Sequence, residues 1–335
     1  MCIRDRGKSS VLEKMRRAGL GDHLVPVYVD LQGCENAWHF YTHLVEEIGR
    51  CVSVDPVSLP QDQTAYAVEQ FLQQIQPVLA GRYLLIMIDE ANCLADPARD
   101  YALLAGHLRS LMQSTEQPVV LLFCGTHALR EGASDYQSIL FNTCQTEYVS
   151  YLSEAEAHQV LTRPVDGFLV FDPQALALGF QLTAGQPYLL QLLGLKLIEQ
   201  FDATLQRDEP RSNYVTYLDM ERAGAALAQQ DNAAFEDYWQ SANPTMQAVL
   251  SVLAGALNEV DRTALSLTGI LSVADQFQFR LSRKAVYDGL QSLVDQELLQ
   301  VFDNVYGFQL PLFRRWLAFH RPVRQVREGL TVNSS

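Results

Sequence analysis

Residues 83–92 read YLLIMIDEAN. The five apolar residues Leu84–Ile88 run without alternation and are flanked by charge, with Arg82 before them and Asp89-Glu90 after. A short, unbroken apolar run of this kind suits a strand covered on both faces, as in a parallel sheet. Ending it on two acids places a pair of carboxylates at the carboxyl edge of that sheet, where open α/β folds bind their ligands. Taken alone, the stretch also describes a strand end with solvated acids. Its surroundings decide between the two.

Working outward, similar runs occur at VPVYVDL (25–31) and PVVLLFCG (118–125), with a weaker one at TEYVSYL (146–152). Helical patterns lie between them near residues 37–51, 64–79 and 99–115. Strands alternating with helices predict an α/β domain built on a parallel sheet. Near the start, Gly7-Lys8-Ser9-Ser10 precedes a good helix reaching Ala18. That is the back half of the phosphate-loop pattern G-x-x-x-x-G-K-[ST]. By itself, Gly-Lys-Ser-Ser is a common polar turn before a helix. In sequence order with Asp89-Glu90, a helix and a strand intervening, it predicts a nucleotide site.

Each residue then has a task. Gly7 lets the backbone approach phosphate, Lys8 is a point charge on the β- and γ-oxygens, and the Ser9 hydroxyl ligates Mg2+. The amides at the start of the helix, Ser10 included, face the anion. Asp89 holds Mg2+ through water, and Glu90 orients and deprotonates the attacking water. The third strand ends in Cys124-Gly125-Thr126-His127. Thr126 or His127 is placed there to offer a polar group to the γ-phosphate, although a turn leaving the sheet would read the same.

Composition narrows the class. The 335 residues are 48% hydrophobic and 19% charged, enough for two or three cores. No apolar run approaches the length of about 18 residues that a membrane helix needs, and the first residues do not read as a secretory signal. Six cysteines without a C-x-x-C pair favour reduced thiols and a cytoplasmic setting. A net charge of −14 argues against coating nucleic acid through bulk electrostatics.

Past the first domain the pattern turns helical, beginning SEAEAHQVL, where Ser153 and Glu156 predict a capping box. From Asn243-Pro244, helices near 245–257 and 283–297 lead to LLQVFDNVYGFQL, two short alternating runs around Asp303-Asn304, and a helix from Pro311. Helices followed by a small hairpin describe a winged helix-turn-helix. The expected divisions are a core at 7–152, a helical lid at 153–242, a winged helix at 243–322 and a tail at 323–335.

The stretches GKSS, LLIMIDEAN, VVLLFCGT, YLSEAEAHQVLTRPV, LTAGQPYLLQLLGLKL and YGFQLPLFRRWL, in this order, resemble the STAND-type P-loop ATPases, signal-transduction ATPases related to the AAA+ and origin-recognition lineages. The likeness spans residues 7 to about 320. It implies a P-loop parallel sheet, a helical lid, a winged helix, and ATP and Mg2+ as cofactors. It also implies a lid sensor at Arg163 or at the helix start Gly185–Gln191, although Gly-Gln-Pro is equally ordinary helix punctuation. The function implied is a slow ATP-hydrolysing switch that assembles with copies of itself or with protein partners through lid and winged helix. Two alternatives are a DNA-binding, origin-recognition-like ATPase and a non-hydrolysing scaffold. Arg314, Arg315, Arg321, Arg324 and Arg327, with Arg283 and Lys284, are the basic residues for DNA. The acids Asp288, Asp295 and Glu297 in the recognition stretch make DNA the lesser expectation. Trp316 and Phe319 read as winged-domain core.

The front departs from the family pattern. Cys2 stands where the loop's first glycine belongs, and no strand precedes it. Residues 1–6 are expected to be foreign sequence, because MCIRD is the in-frame translation of the mosaic end of a sequencing-library transposon. The family's strand before the loop lies mid-sheet, between the LLFCG and TEYVSYL strands. A chain lacking it is expected to bind ATP poorly.

Overall fold

The computed structural model describes residues 7–18, 20–95, 101–125, 144–206, 212–259 and 264–332. The chain divides between residues 149 and 150 into two compact units.

The first unit is organised by the apolar run quoted above. It forms strand β2 (Tyr83–Asp89), in which every residue after Tyr83 is buried. β2 lies between β1 (Leu24–Asp30) and β3 (Val119–Phe123) in a three-stranded sheet of order β1-β2-β3, all parallel. The pleat sends Leu84, Ile86 and Ile88 to one face, together with Val25, Val27 and Val29. Helices α2 (Ala37–Val52), α3 (Thr64–Leu79) and α4 (Ala102–Gln113) contribute Phe40, Leu44, Ile48, Phe71, Leu72 and Leu108 to the core on that face. Burying each such side chain contributes about 2 kcal/mol. On the opposite face Leu85 and Met87 pack with Leu12 of α1 (Lys8–Ala18) and with Cys124.

The expected strands and helices of this unit appear within a few residues of their predicted bounds, with one exception. Residues 145–152 carry no strand, and most are exposed. A strand needs a neighbour for its backbone groups. In the arrangement the resemblance implies, that neighbour would be the strand leading into the phosphate loop. Among the described residues, no strand pairs with the outer edge of β3.

The second unit opens with α5 (Glu154–Thr162), whose N-terminus has the expected capping box between Ser153 and Glu156. Then come α6 (Pro173–Thr183), α7 (Pro187–Gln206), α8 (Tyr217–Gln229) and α9 (Ala233–Ser241), with a two-stranded parallel pairing of β4 (Val170–Phe171) and β5 (Tyr214–Val215). The winged helix follows: α10 (Pro244–Glu259), β6 (Leu265–Ser266), α11 (Leu267–Gln276), α12 (Arg283–Asp295), β7 (Leu299–Phe302) and β8 (Val305–Phe308). The order β6-β8-β7 is antiparallel, and the wing turns at Asp303 and Asn304, both with positive φ as a tight two-residue hairpin requires. α13 (Pro311–His320) and α14 (Val323–Val332) close the unit. The segment expected as a tail is thus helical, with Val323 and Val326 buried.

Lid and winged helix share one aromatic core. Phe235 of α9 meets Phe313 and Trp316 of α13, and Tyr238 meets Phe313 edge-on. Trp316 is buried as expected, but Phe319 is 58% exposed. It flanks the buried face defined by Leu312, Phe313, Trp316 and Leu317 instead of joining it.

Candidate functional site

Gly7 enters α1 with φ 83°, a left-handed conformation that glycine tolerates, and its carbonyl accepts the Val11 N–H to close the first helical turn. Lys8 is part-exposed, and Ser9 and Ser10 are exposed. On the outer surface of α1, Glu13 accepts from Arg16 at 2.7 Å and Arg17 at 2.5 Å, and these bonds hold its carboxyl down to about 2.

Across the sheet, Asp89 and Glu90 are both buried, at 3% and 8% exposure. The register puts Asp30 beside Asp89, and Cys124 follows directly on the Ile88–Phe123 pair. Asp89 shares the α1 face with Met87 and Leu85 by alternation. Its Oδ1 accepts the Glu90 N–H at 2.9 Å, and its Oδ2 accepts the Tyr28 hydroxyl at 3.1 Å. Cys124 packs on the same face with Met87 and Leu85, close enough for the Asp89 charge to act on its thiol. Glu90 then leaves the strand with φ 51°, a left-handed conformation that a residue with a Cβ adopts at a cost. The turn is fixed by Ala91 N–H to the Cys124 carbonyl and Cys93 N–H to the Glu90 carbonyl.

The electrostatics of Cys124 tie these groups together. Burial, first, pushes its thiol up to about 12; the charges of Asp89 and Glu90 act in the same direction, and the Lys8 ammonium pulls it back. One thiol therefore feels Lys8, Asp89 and Glu90 at once. Tyr28 is likewise raised above its ordinary value, by burial first and then by Asp89.

Asp89 and Glu90 thus end β2 at the carboxyl edge of the sheet, and α1, which follows Gly7 and carries Lys8, Ser9 and Ser10 in its first turn, packs on the sheet face of Leu85 and Met87 through Leu12. The donor set fits a magnesium–triphosphate. Among the described residues no group of three or more His, Cys, Asp or Glu would hold a metal by itself. Mg2+ is commonly held by one or two carboxylates with the substrate's phosphates supplying the rest. Thr126 and His127, like residues 1–6, lie outside the described residues. Arg163 belongs to the second unit, where it is exposed and begins a single 3-10 turn, Arg163–Val165, after α5. Gln186 of the GQPY stretch is fully buried; its Oε1 accepts the Leu189 N–H and its Nε2 donates to the Tyr238 hydroxyl. In its own unit it does the work of a helix start.

Of the basic residues named for DNA, four are engaged inside the second unit. Arg314 donates to the Leu257 carbonyl, Arg315 forms a two-point pair with Glu221, Arg321 binds Glu236 while lying over Trp239 and Trp316, and Arg327 donates to Gln278 Oε1. Arg283, Lys284 and Arg324 are exposed.

Sequence reasoning missed Tyr28 as the partner of Asp89 and Cys124 as its neighbour. The signal was a hydroxyl-bearing side chain in VPVYVDL and a thiol at the end of VVLLFCG, on the strands either side of β2.

The fold was compared with solved structures. The ORC2 protein of Aeropyrum pernix, solved in ADPNP and ADP complexes, superposes with a TM-score of 0.64 at 12% identity, covering 99% of this chain and 86% of that one. The chain shares the fold of this ORC2 protein. A Walker-type ATPase of Pyrococcus abyssi gives a TM-score of 0.61 at 17% identity, covering 95% of this chain and 89% of that one. No family model and no curated protein matches the sequence. The candidate site falls at the carboxyl ends of the parallel strands, and the winged helix closes the second unit. No helix among the described residues is long and apolar enough to cross a membrane.

Proposed function

We propose that this chain is the body of an ATP-binding, slowly hydrolysing regulatory switch of the STAND type. In this reading nucleotide state sets the disposition of the C-terminal unit and through it assembly with copies or protein partners. The observation that carries the reading is the buried pair Asp89-Glu90 at the end of the central strand β2, against which α1, starting at Lys8, packs through Leu12. A neighbour with the same fold, solved with ADPNP and ADP, supports it.

Lys8 would meet the β- and γ-oxygens, and the Ser9 hydroxyl and Asp89 would hold Mg2+. Bound Mg2+ would neutralise charge building between the phosphates. Glu90 takes a proton from water and aligns it for attack. Thr126 and Arg163 are proposed to act on the nucleotide from the third strand end and the lid.

The test extends the chain ahead of Gly7 with an apolar strand and a complete G-x-x-x-x segment. The extended protein should bind ATP·Mg at micromolar concentrations and hydrolyse it slowly, whereas the chain as it stands should bind weakly. In the extended protein Lys8→Ala should abolish binding, and Glu90→Gln should preserve binding while stopping hydrolysis. Equal affinity of both chains, or hydrolysis surviving Glu90→Gln, refutes the reading.

A second reading, an origin-recognition-like DNA-binding ATPase, is favoured by the name of the ORC2 neighbour and by exposed Arg283 and Lys284 at the start of α12. Fluorescence anisotropy against duplex DNA over a salt series separates the two. Binding that weakens with salt and is lost in the Arg283→Ala/Lys284→Ala double variant supports it.

A further inference from the structure

Asp89 is a buried carboxylate at the end of a central strand, and a carboxylate so placed needs donors. One comes with the backbone, the Glu90 N–H on Oδ1. The other comes from the neighbouring strand. Tyr28 reaches from β1, two residues before its end, to place its hydroxyl 3.1 Å from Oδ2. This bond is not local in sequence: Tyr28 and Asp89 are 61 residues apart.

We propose that Tyr28 is a positioning residue for the metal site, clamping the Asp89 carboxylate together with the Glu90 N–H so that it meets the cation through water in one fixed orientation. The proposal rests on the reading of Asp89 as the magnesium carboxylate. A carboxylate held at each oxygen cannot swing, and its density is shared with the donors, which disfavours direct capture of the ion. Partners of this kind, one shell out from the metal, typically change metal affinity about tenfold or more when removed. An ordinary buried tyrosine would only need some acceptor for its hydroxyl. What distinguishes a clamp is that its loss alters the metal requirement and leaves metal-free nucleotide binding alone.

The experiment titrates Mn2+ into the protein extended ahead of Gly7, with millimolar ATP, reading bound Mn2+ by electron paramagnetic resonance, with metal-free ATP affinity and the thermal melt as controls. Tyr28→Phe keeps the ring and loses the donor. It should raise the Mn2+ midpoint about tenfold while metal-free affinity and the melt hold. A Tyr28→Phe protein with an unchanged Mn2+ midpoint overturns the clamp while the site reading stands, provided Asp89→Asn abolishes Mn2+ binding. If Asp89→Asn leaves Mn2+ binding unchanged, or no Asp89-dependent binding occurs, the metal-site reading falls and the clamp with it.

Discussion

Glu90 combines two demands that pull against each other. Its φ of 51° lies where a Cβ is crowded by the neighbouring carbonyl, at a cost of about 1 kcal/mol. Yet the position carries the carboxylate assigned to water activation. Glycine would suit the backbone, so a non-glycine residue here is strain held at a site of chemistry. Replacing Glu90 with Gly and with Ala should separate the two demands. Alanine normally stabilises relative to glycine by reducing unfolded-state freedom, but at positive φ the order inverts. Glu90→Gly is therefore expected to be more stable than Glu90→Ala by about 1 kcal/mol in denaturant melts, with neither variant hydrolysing ATP in the extended protein. Alanine proving the more stable would show that the turn relaxes out of the left-handed region. At this scale the places of Asp89-Glu90 at a strand end and of Gly7-Lys8-Ser9 at a helix start were legible, because each is written in adjacent residues. Tyr28 and Cys124 were not: alternation says that Tyr28 shares a face with Pro26 and Asp30, but only the strand register brings its hydroxyl to Asp89.

Among elements, the legible ones carry local signals. The capping box at Ser153 and Glu156 was readable from S-x-x-E and forms with Ser153 Oγ accepting the Glu156 N–H and Glu156 Oε2 accepting the Ser153 N–H. Ser153→Ala should destabilise the second unit by about 1 kcal/mol. The box also has a pH signature. Its bonds, the Ser153 side chain first and then its backbone N–H, hold the Glu156 carboxyl below its ordinary value of 4.5. A carboxyl lowered by folding contributes stability that is present above the unfolded value and lost as pH falls through the folded one. Glutamine fills the same box without titrating. The stability gap between the natural chain and Glu156→Gln, followed by thermal melts from pH 7 downward, should shrink below pH 4.5; a gap that stays constant would mean the bonds do not form in solution. The weak strand expected at TEYVSYL had no such local support. Its apolar residues allowed a strand, but pairing needs a neighbour, which residues 145–152 do not have among the described residues. The same reasoning makes the outer edge of β3 the place where an added strand should register in the extended protein.

For the whole molecule, the sequence suggested a break between lid and winged helix at Asn243-Pro244, because helix punctuation there is strong. Punctuation marks where helices end, not where cores end. The contacts that join the two parts are distant in sequence. Arg315 pairs with Glu221 across 94 residues, Arg321 reaches Glu236 across 85, and the Trp316 indole donates to the Gln230 carbonyl across 86. Arg321 also lies 5.6 Å and 5.3 Å from the Trp239 and Trp316 ring centroids, so its guanidinium is held by a carboxylate and two aromatic faces together. A switch built this way would move lid and winged helix as one body, since separating them would expose Phe235, Tyr238, Phe313 and Trp316. The expected behaviour is a single cooperative melt for residues 150–335, with residues 150–242 alone failing to fold. Arg321→Ala should lower the midpoint of that melt by the equivalent of about 2 kcal/mol without splitting it. Calorimetry decides the matter. Two resolved transitions in 150–335, or a folded and cooperative 150–242, would mean that lid and winged helix are separate bodies able to respond to nucleotide independently.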